Sequence, residues 1–182
     1  MFESWTAFRH IVVTGPQRSG TRIGAKAIAH DTGYEYIDET TLHTDGFYHL
    51  YAALKGAPDG GVFQCPALCR VIHAIRGFKD VLVVMMMRPL EEIQASMDRI
   101  GWSWAELEMD LYADATREQP SVAGRKYAHW HFTQKRLLPN THELKYHDLE
   151  EHPLWVAQGD RRDERGEYWG YNQTEVVREI QT

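Results

Sequence analysis

The stretch His10-Ile11-Val12-Val13-Thr14-Gly15-Pro16-Gln17-Arg18-Ser19-Gly20-Thr21 decides how the chain is read. His10 to Thr14, with Ile11, Val12 and Val13 at its centre, has the make-up of a short strand. The glycine-rich turn after it leads into a helical stretch running to about Asp31. Such a turn aims several backbone N–H groups at one point, and the helix dipole adds partial positive charge there. Strand, loop and helix therefore predict an anion site formed by Gly15, Pro16, Gln17, Arg18, Ser19, Gly20, Thr21 and Arg22.

Gly15 and Gly20 keep the glycine spacing of the nucleoside triphosphatase loop, but Thr21 and Arg22 stand where that motif carries Lys and then Ser or Thr. The usual lysine and the magnesium-ligating hydroxyl are both missing. Arg18, Ser19 and Thr21 remain: a guanidinium and two hydroxyls on a flexible backbone, suited to holding a phosphate.

Downstream, Tyr34 to Ile37 reads as a second strand, and Phe47, Leu50, Tyr51 and Leu54 as one face of a helix. Val62 to Gln64 reads as a third strand, with a helix expected from Pro66 to Arg76. Val81 to Met87 is seven apolar residues in a row, the pattern of a parallel strand covered on both faces. Pro89 opens a helix ending near Gly101. Trp104, Leu107, Leu111, Tyr112 and Ala115 mark another, and Ser121 to Leu138 a third. Glu143 to Tyr146 looks like the last strand, Asp148 is placed to cap a short helix, and Thr174 to Gln181 is expected as a terminal helix. This alternation predicts one α/β domain over residues 1–182, three-layered, with a central parallel sheet of about five strands flanked by helices. Ligand loops should gather at the carboxyl ends of the strands.

Composition narrows the function classes. In 182 residues, 43% hydrophobic and 25% charged, a sizeable core can form without staples. The net charge of -6 argues against broad nucleic-acid binding, which needs a basic surface. No apolar run approaches the ~18 residues of a membrane span, and the start Met1-Phe2-Glu3-Ser4-Trp5 lacks the basic and apolar regions of an export signal. Cys65 and Cys69, four apart, read as core thiols on neighbouring helical turns in a reducing, cytoplasmic compartment. His129, His131, His142, His147 and His152 lack metal-ligand spacing.

The loop resembles the 5'-phosphosulfate loop of sulfotransferases, which use 3'-phosphoadenosine 5'-phosphosulfate (PAPS) and release 3',5'-adenosine bisphosphate (PAP). The family's second signature is an arginine closing a later strand and a serine eight positions on, both on the 3'-phosphate; Arg88 and Ser96 match it in place and spacing. Cys65-Pro66 and Leu144-Lys145-Tyr146-His147-Asp148-Leu149 extend the likeness to about residue 155. The chain departs at four points: Arg22 for a second threonine, Arg88-Pro89-Leu90 for Arg-Asp-Pro, Gln64 for a basic residue, and His147 for glutamate. The resemblance implies a P-loop fold and sulfuryl transfer from PAPS, without a required metal, to a small-molecule or peptide hydroxyl or amine. Arg18 would stabilise the leaving phosphate.

A base for the acceptor is sought after the second strand, on the ligand side of the sheet. Glu39 lies 21 residues after Arg18, the offset of the catalytic glutamate in the tyrosylprotein branch of that family. The other reading of Asp38 and Glu39 is that they cap a helix starting near Thr41. His43 is the runner-up base, because imidazole titrates near neutrality. Trp102 is a candidate for ligand stacking, whereas Trp104 and Tyr112 fall on a core stripe. Two rival functions stay open: a P-loop kinase using ATP, and a degenerate member of the fold that binds a nucleotide or a partner.

Overall fold

The computed structural model describes residues 1–40, 47–99 and 122–155. His43, Trp102, Trp104, Leu107, Leu111, Tyr112, Ala115 and the expected terminal helix lie outside them.

Among the described residues five strands form one sheet: β1 (His10–Thr14), β2 (Glu35–Ile37), β3 (Gly61–Gln64), β4 (Val81–Met87) and β5 (Thr141–Lys145). Their order is β2-β3-β1-β4-β5, and every pairing is parallel. The expected three-layer α/β architecture is thus present, with β1 in the middle. β1 is buried along its whole length and β4 along all but Met87, as sequences without alternation require of strands covered on both faces.

The pleat divides these strands between two cores. Val12, Phe63, Val83 and Met85 face a core closed by Leu50 and Leu54 of α2 (Phe47–Gly56), with Ile72, Ile75 and Trp130. Ile11, Val13, Val62, Val84 and Met86 face the other, covered by Ala25, Ile28 and Ala29 of α1 (Thr21–Thr32). α3 (Leu90–Asp98) follows β4, and α4 (Val122–His129) continues through a π-helical turn at Trp130–Gln134 into a last α turn at Lys135–Leu137. Among the described residues no helix is long and apolar enough to cross a membrane.

Three expectations need correction. The helix from Pro66 to Arg76 is two short 3-10 turns, Pro66–Leu68 and Ile72–Ile75. The cause is Gln134: its Nε2 donates to Cys69 O at 2.7 Å, while its Oε1 accepts from His73 N at 3.2 Å. Those two backbone groups would bond to each other in an α-helix, and the buried amide stands between them. Cys65 and Cys69 are accordingly buried and in no disulfide, but not on successive turns of one helix. Finally, β5 begins at Thr141, and Tyr146 opens a 3-10 turn (Tyr146–Leu149) whose N-cap is Lys145, so Asp148 lies inside the turn and does not cap it.

Candidate functional site

The loop between β1 and α1 emerges at the carboxyl end of the central strand. Two of its glycines are needed sterically. A Cβ on Gly15 would stand 2.6 Å from Ser19 Oγ, and Gly20 combines φ +96 with a Tyr146 ring that would lie 2.5 Å from its Cβ. α1 starts on Gly20, which has no side chain to cap it, so the positive end of the helix dipole faces the loop. Ser19 Oγ is fully buried; it faces the Tyr127 hydroxyl without reaching hydrogen-bond geometry.

Arg18 takes φ 66, alone among the non-glycine residues described, in a region costing an ordinary residue ~1–2 kcal/mol. Neighbours from distant elements hold it. Its Nε donates to Ser96 Oγ at 3.1 Å, and its carbonyl accepts from Arg88 Nη1 at 2.9 Å. Arg88 is itself clamped: Nε donates to Glu92 Oε2 at 3.0 Å, and the guanidinium lies 4.0 Å above the Tyr146 ring. Its backbone N–H donates to the Tyr127 hydroxyl, which donates in turn to Met86 O. Beyond Glu92, His147 Nε2 sits 2.7 Å from Glu92 Oε1 and its Nδ1 2.5 Å from Glu150 Oε1. Hydrogen bonds to Glu150 and Glu92 raise the His147 pKa against the smaller opposing effect of burial.

Arg18, Arg88 and Ser96 therefore meet at one place, and the latter two are nearly inaccessible. Sequence reasoning missed Glu92 and Tyr127 around them, and singled out Tyr146 and His147 only as part of the segment carrying the family likeness. The i,i+4 spacing of Arg88 and Glu92 was a usable signal for one of these.

The other side of the loop, toward β2 and β3, carries a second network. Gln64, buried, places its side-chain amide 3.5 Å from Thr21 Oγ1 and 2.6 Å from the Tyr36 hydroxyl. The Tyr36 hydroxyl donates to Asp38 Oδ2 at 2.7 Å, and Arg22 Nη2 lies 3.4 Å from that same oxygen. Asp38 Oδ1 accepts from Thr40 N and Thr40 Oγ1. Burial opposes ionisation of Asp38, but these partners outweigh it and hold the carboxyl below its ordinary range. Glu39 beside it is half-buried. Burial first, and the Asp38 charge second, push its carboxyl up to about 7, with Arg22 only partly opposing. Asp38 closes a local turn on Thr40, the helix expected near Thr41 lies outside the described residues, and Glu39 is a perturbed acid near Arg22.

One histidine cluster gathers residues remote in sequence. His30 Nδ1 and His152 Nε2 both lie about 3 Å from Asp31 Oδ1, while Met1 N and Phe2 N reach Oδ2. The three side chains are close enough to hold a metal ion. However, His152 Nδ1 accepts from Leu154 N–H, which puts the proton of the neutral ring on Nε2, facing the carboxylate. A metal would have to displace that proton. The cluster ties the residues after β5 to the end of α1.

No protein-family model and no curated protein matches the sequence. Solved structures similar in shape include shikimate kinase from Acinetobacter baumannii in complex with shikimate, at TM-score 0.44 and 14% identity, covering 79% of this chain and 88% of that one. Another is an unliganded sugar kinase from Janibacter sp. HTCC2649, at TM-score 0.40 and 17% identity, covering 76% and 85%. In this chain itself, a glycine-rich loop runs from the central strand of a parallel sheet into the first helix, which is the arrangement of an α/β P-loop fold.

Proposed function

We propose that the chain is a P-loop group transferase that holds the phosphates of a nucleotide donor in the loop Gly15 to Thr21 and uses Glu39 to take the proton from an acceptor. The observation that carries this reading is the Glu39 carboxyl, pushed up to about 7 beside the loop network. A general base works best when its pKa is near the operating pH. The loop's residues suit a phosphate: a buried Ser19 hydroxyl without a partner, an uncapped helix start, and the guanidinium of Arg18.

PAPS is the donor proposed first, because Thr21 and Arg22 replace the lysine and the metal-ligating hydroxyl of the triphosphatase loop. Bound there, it supplies an activated sulfuryl group. Glu39 accepts the acceptor's proton as the acceptor oxygen or nitrogen bonds to sulfur and the bond from sulfur to the 5'-phosphate breaks. Arg18 neutralises charge on the departing phosphate, while Arg88 and Ser96 take the 3'-phosphate. Positioning and electrostatics account for the acceleration, as in phosphoryl transfer.

Phosphoryl transfer from magnesium ATP is the second reading. It is favoured by the triphosphatase spacing of Gly15 and Gly20 and by the acidic pair Asp38 and Glu39 near Arg22. Against Asp38 as a metal ligand, both its oxygens already accept from Thr40, Tyr36 and Arg22.

Thermal unfolding with PAP, compared with ATP plus magnesium, separates the readings. A ligand at 100 times its Kd adds ~2.7 kcal/mol to stability. Stabilisation by PAP is expected. Stabilisation by magnesium ATP alone transfers the proposal to kinase chemistry, and no response to either nucleotide rules out the transferase.

A further inference from the structure

The two guanidiniums at the loop diverge. Arg18 reaches Ser96 on the helix after β4, whereas Arg22 reaches Asp38, just past β2. Because β1 lies between β3 and β4 in the sheet, these are opposite flanks of the loop. Arg18, Arg88 and Ser96 occupy the first flank. On the second, Lys26 stands one turn beyond Arg22 on the same face of α1, with its Nζ 5.6 Å from the centroid of the Tyr36 ring. Tyr36 bonds Asp38, whose charge acts on Lys26, and Glu39 follows directly with Arg22 acting on its carboxyl.

We infer that the acceptor carries an anionic group, a carboxylate or a phosphate, seated on Arg22 and Lys26 beside Glu39; this rests on the transferase reading above. Two like charges one helical turn apart repel. Burial depresses the Lys26 ammonium, Arg22 adds to the depression, and Asp38 offsets it only in part. An anion between the two cations relieves that repulsion. It also draws the acceptor's hydroxyl toward Glu39, and a planar carboxylate or a phosphate matches the guanidinium fork of Arg22.

The test is turnover of matched acceptors with whichever donor, PAPS or magnesium ATP, stabilises the chain. 3-Hydroxybenzoate is set against 3-hydroxybenzamide for the carboxylate arm, and glycerol 3-phosphate against glycerol for the phosphate arm. In one arm at least, the anionic member should show kcat/KM about tenfold or more above its neutral partner, the worth of one charge-assisted hydrogen bond. Lys26→Met should erase the preference and Lys26→Arg should keep it. Equal kcat/KM within both pairs, turnover of no member, or a preference that survives Lys26→Met overturns the inference. Nucleotide stabilisation measured on the same samples shows whether the transferase reading fails with it.

Discussion

Arg88 donates from Nη1 to the carbonyl oxygen of Arg18 across 2.9 Å, fixing the one described non-glycine residue with a left-handed backbone. The residue expected on a ligand's phosphate thus also braces the loop. A buried guanidinium satisfied by Arg18 O, Glu92 and the Tyr146 face is preorganised, so little ordering remains when an anion binds.

Replacing Arg88 separates its two roles. Arg88→Ala removes hydrogen bonds from a charged donor, worth ~2 kcal/mol of folding stability, which a denaturant midpoint will show. If Arg88 also contacts the 3'-phosphate, PAP affinity falls much more than AMP affinity, since AMP lacks that group. Equal losses for the two ligands confine Arg88 to bracing the loop.

Much of this architecture could be read before any coordinates. The apolar runs of β1 and β4 and the glycine spacing between β1 and α1 are local patterns, and they gave the strand, loop and helix order of the anion loop. The eight-residue step from Arg88 to Ser96 links two residues that both bond to Arg18. What stayed hidden depends on contacts between distant residues. Gln134 splits the stretch after β3 from 61 residues away, and helix periodicity alone carries no trace of that. The Tyr127 hydroxyl reaches Arg88 across 39 residues, and Tyr146 packs on Gly20 only because β5 ends one residue before it. Glu39 was legible by position, while its raised pKa required knowing its burial.

Gly20 should tolerate no side chain. Gly20→Ala brings both a strained φ, at ~1–2 kcal/mol, and a collision with the Tyr146 ring. The double variant Gly20→Ala with Tyr146→Ala should recover the collision's share but not the backbone's, as read from a double-mutant cycle of unfolding free energies. Additive losses in that cycle would mean the ring moves aside freely and does not shape the loop.

The Glu39 prediction gives two readouts of opposite sign. Its folded carboxyl is raised from 4.5 to about 7, so the folded state holds the proton longer than the unfolded chain. The stabilising contribution is therefore fully present below about pH 4.5 and is lost as pH rises through 7. Solvent screening at this half-buried position limits the change to ~1–2 kcal/mol. Glu39→Gln keeps the shape without the charge. It should match the wild-type pH trend of stability below pH 4.5 and become relatively more stable above 7, as read from unfolding midpoints across that range. Turnover should move the other way. The wild-type rate should climb through an acidic limb near pH 7 as Glu39 ionises, and the variant should lose about 10² to 10⁴ of the rate together with that limb. PAP binding should survive, because the loop and Arg88 are untouched. A variant that gains stability at high pH yet keeps full turnover leaves Glu39 a buried acid without a catalytic role.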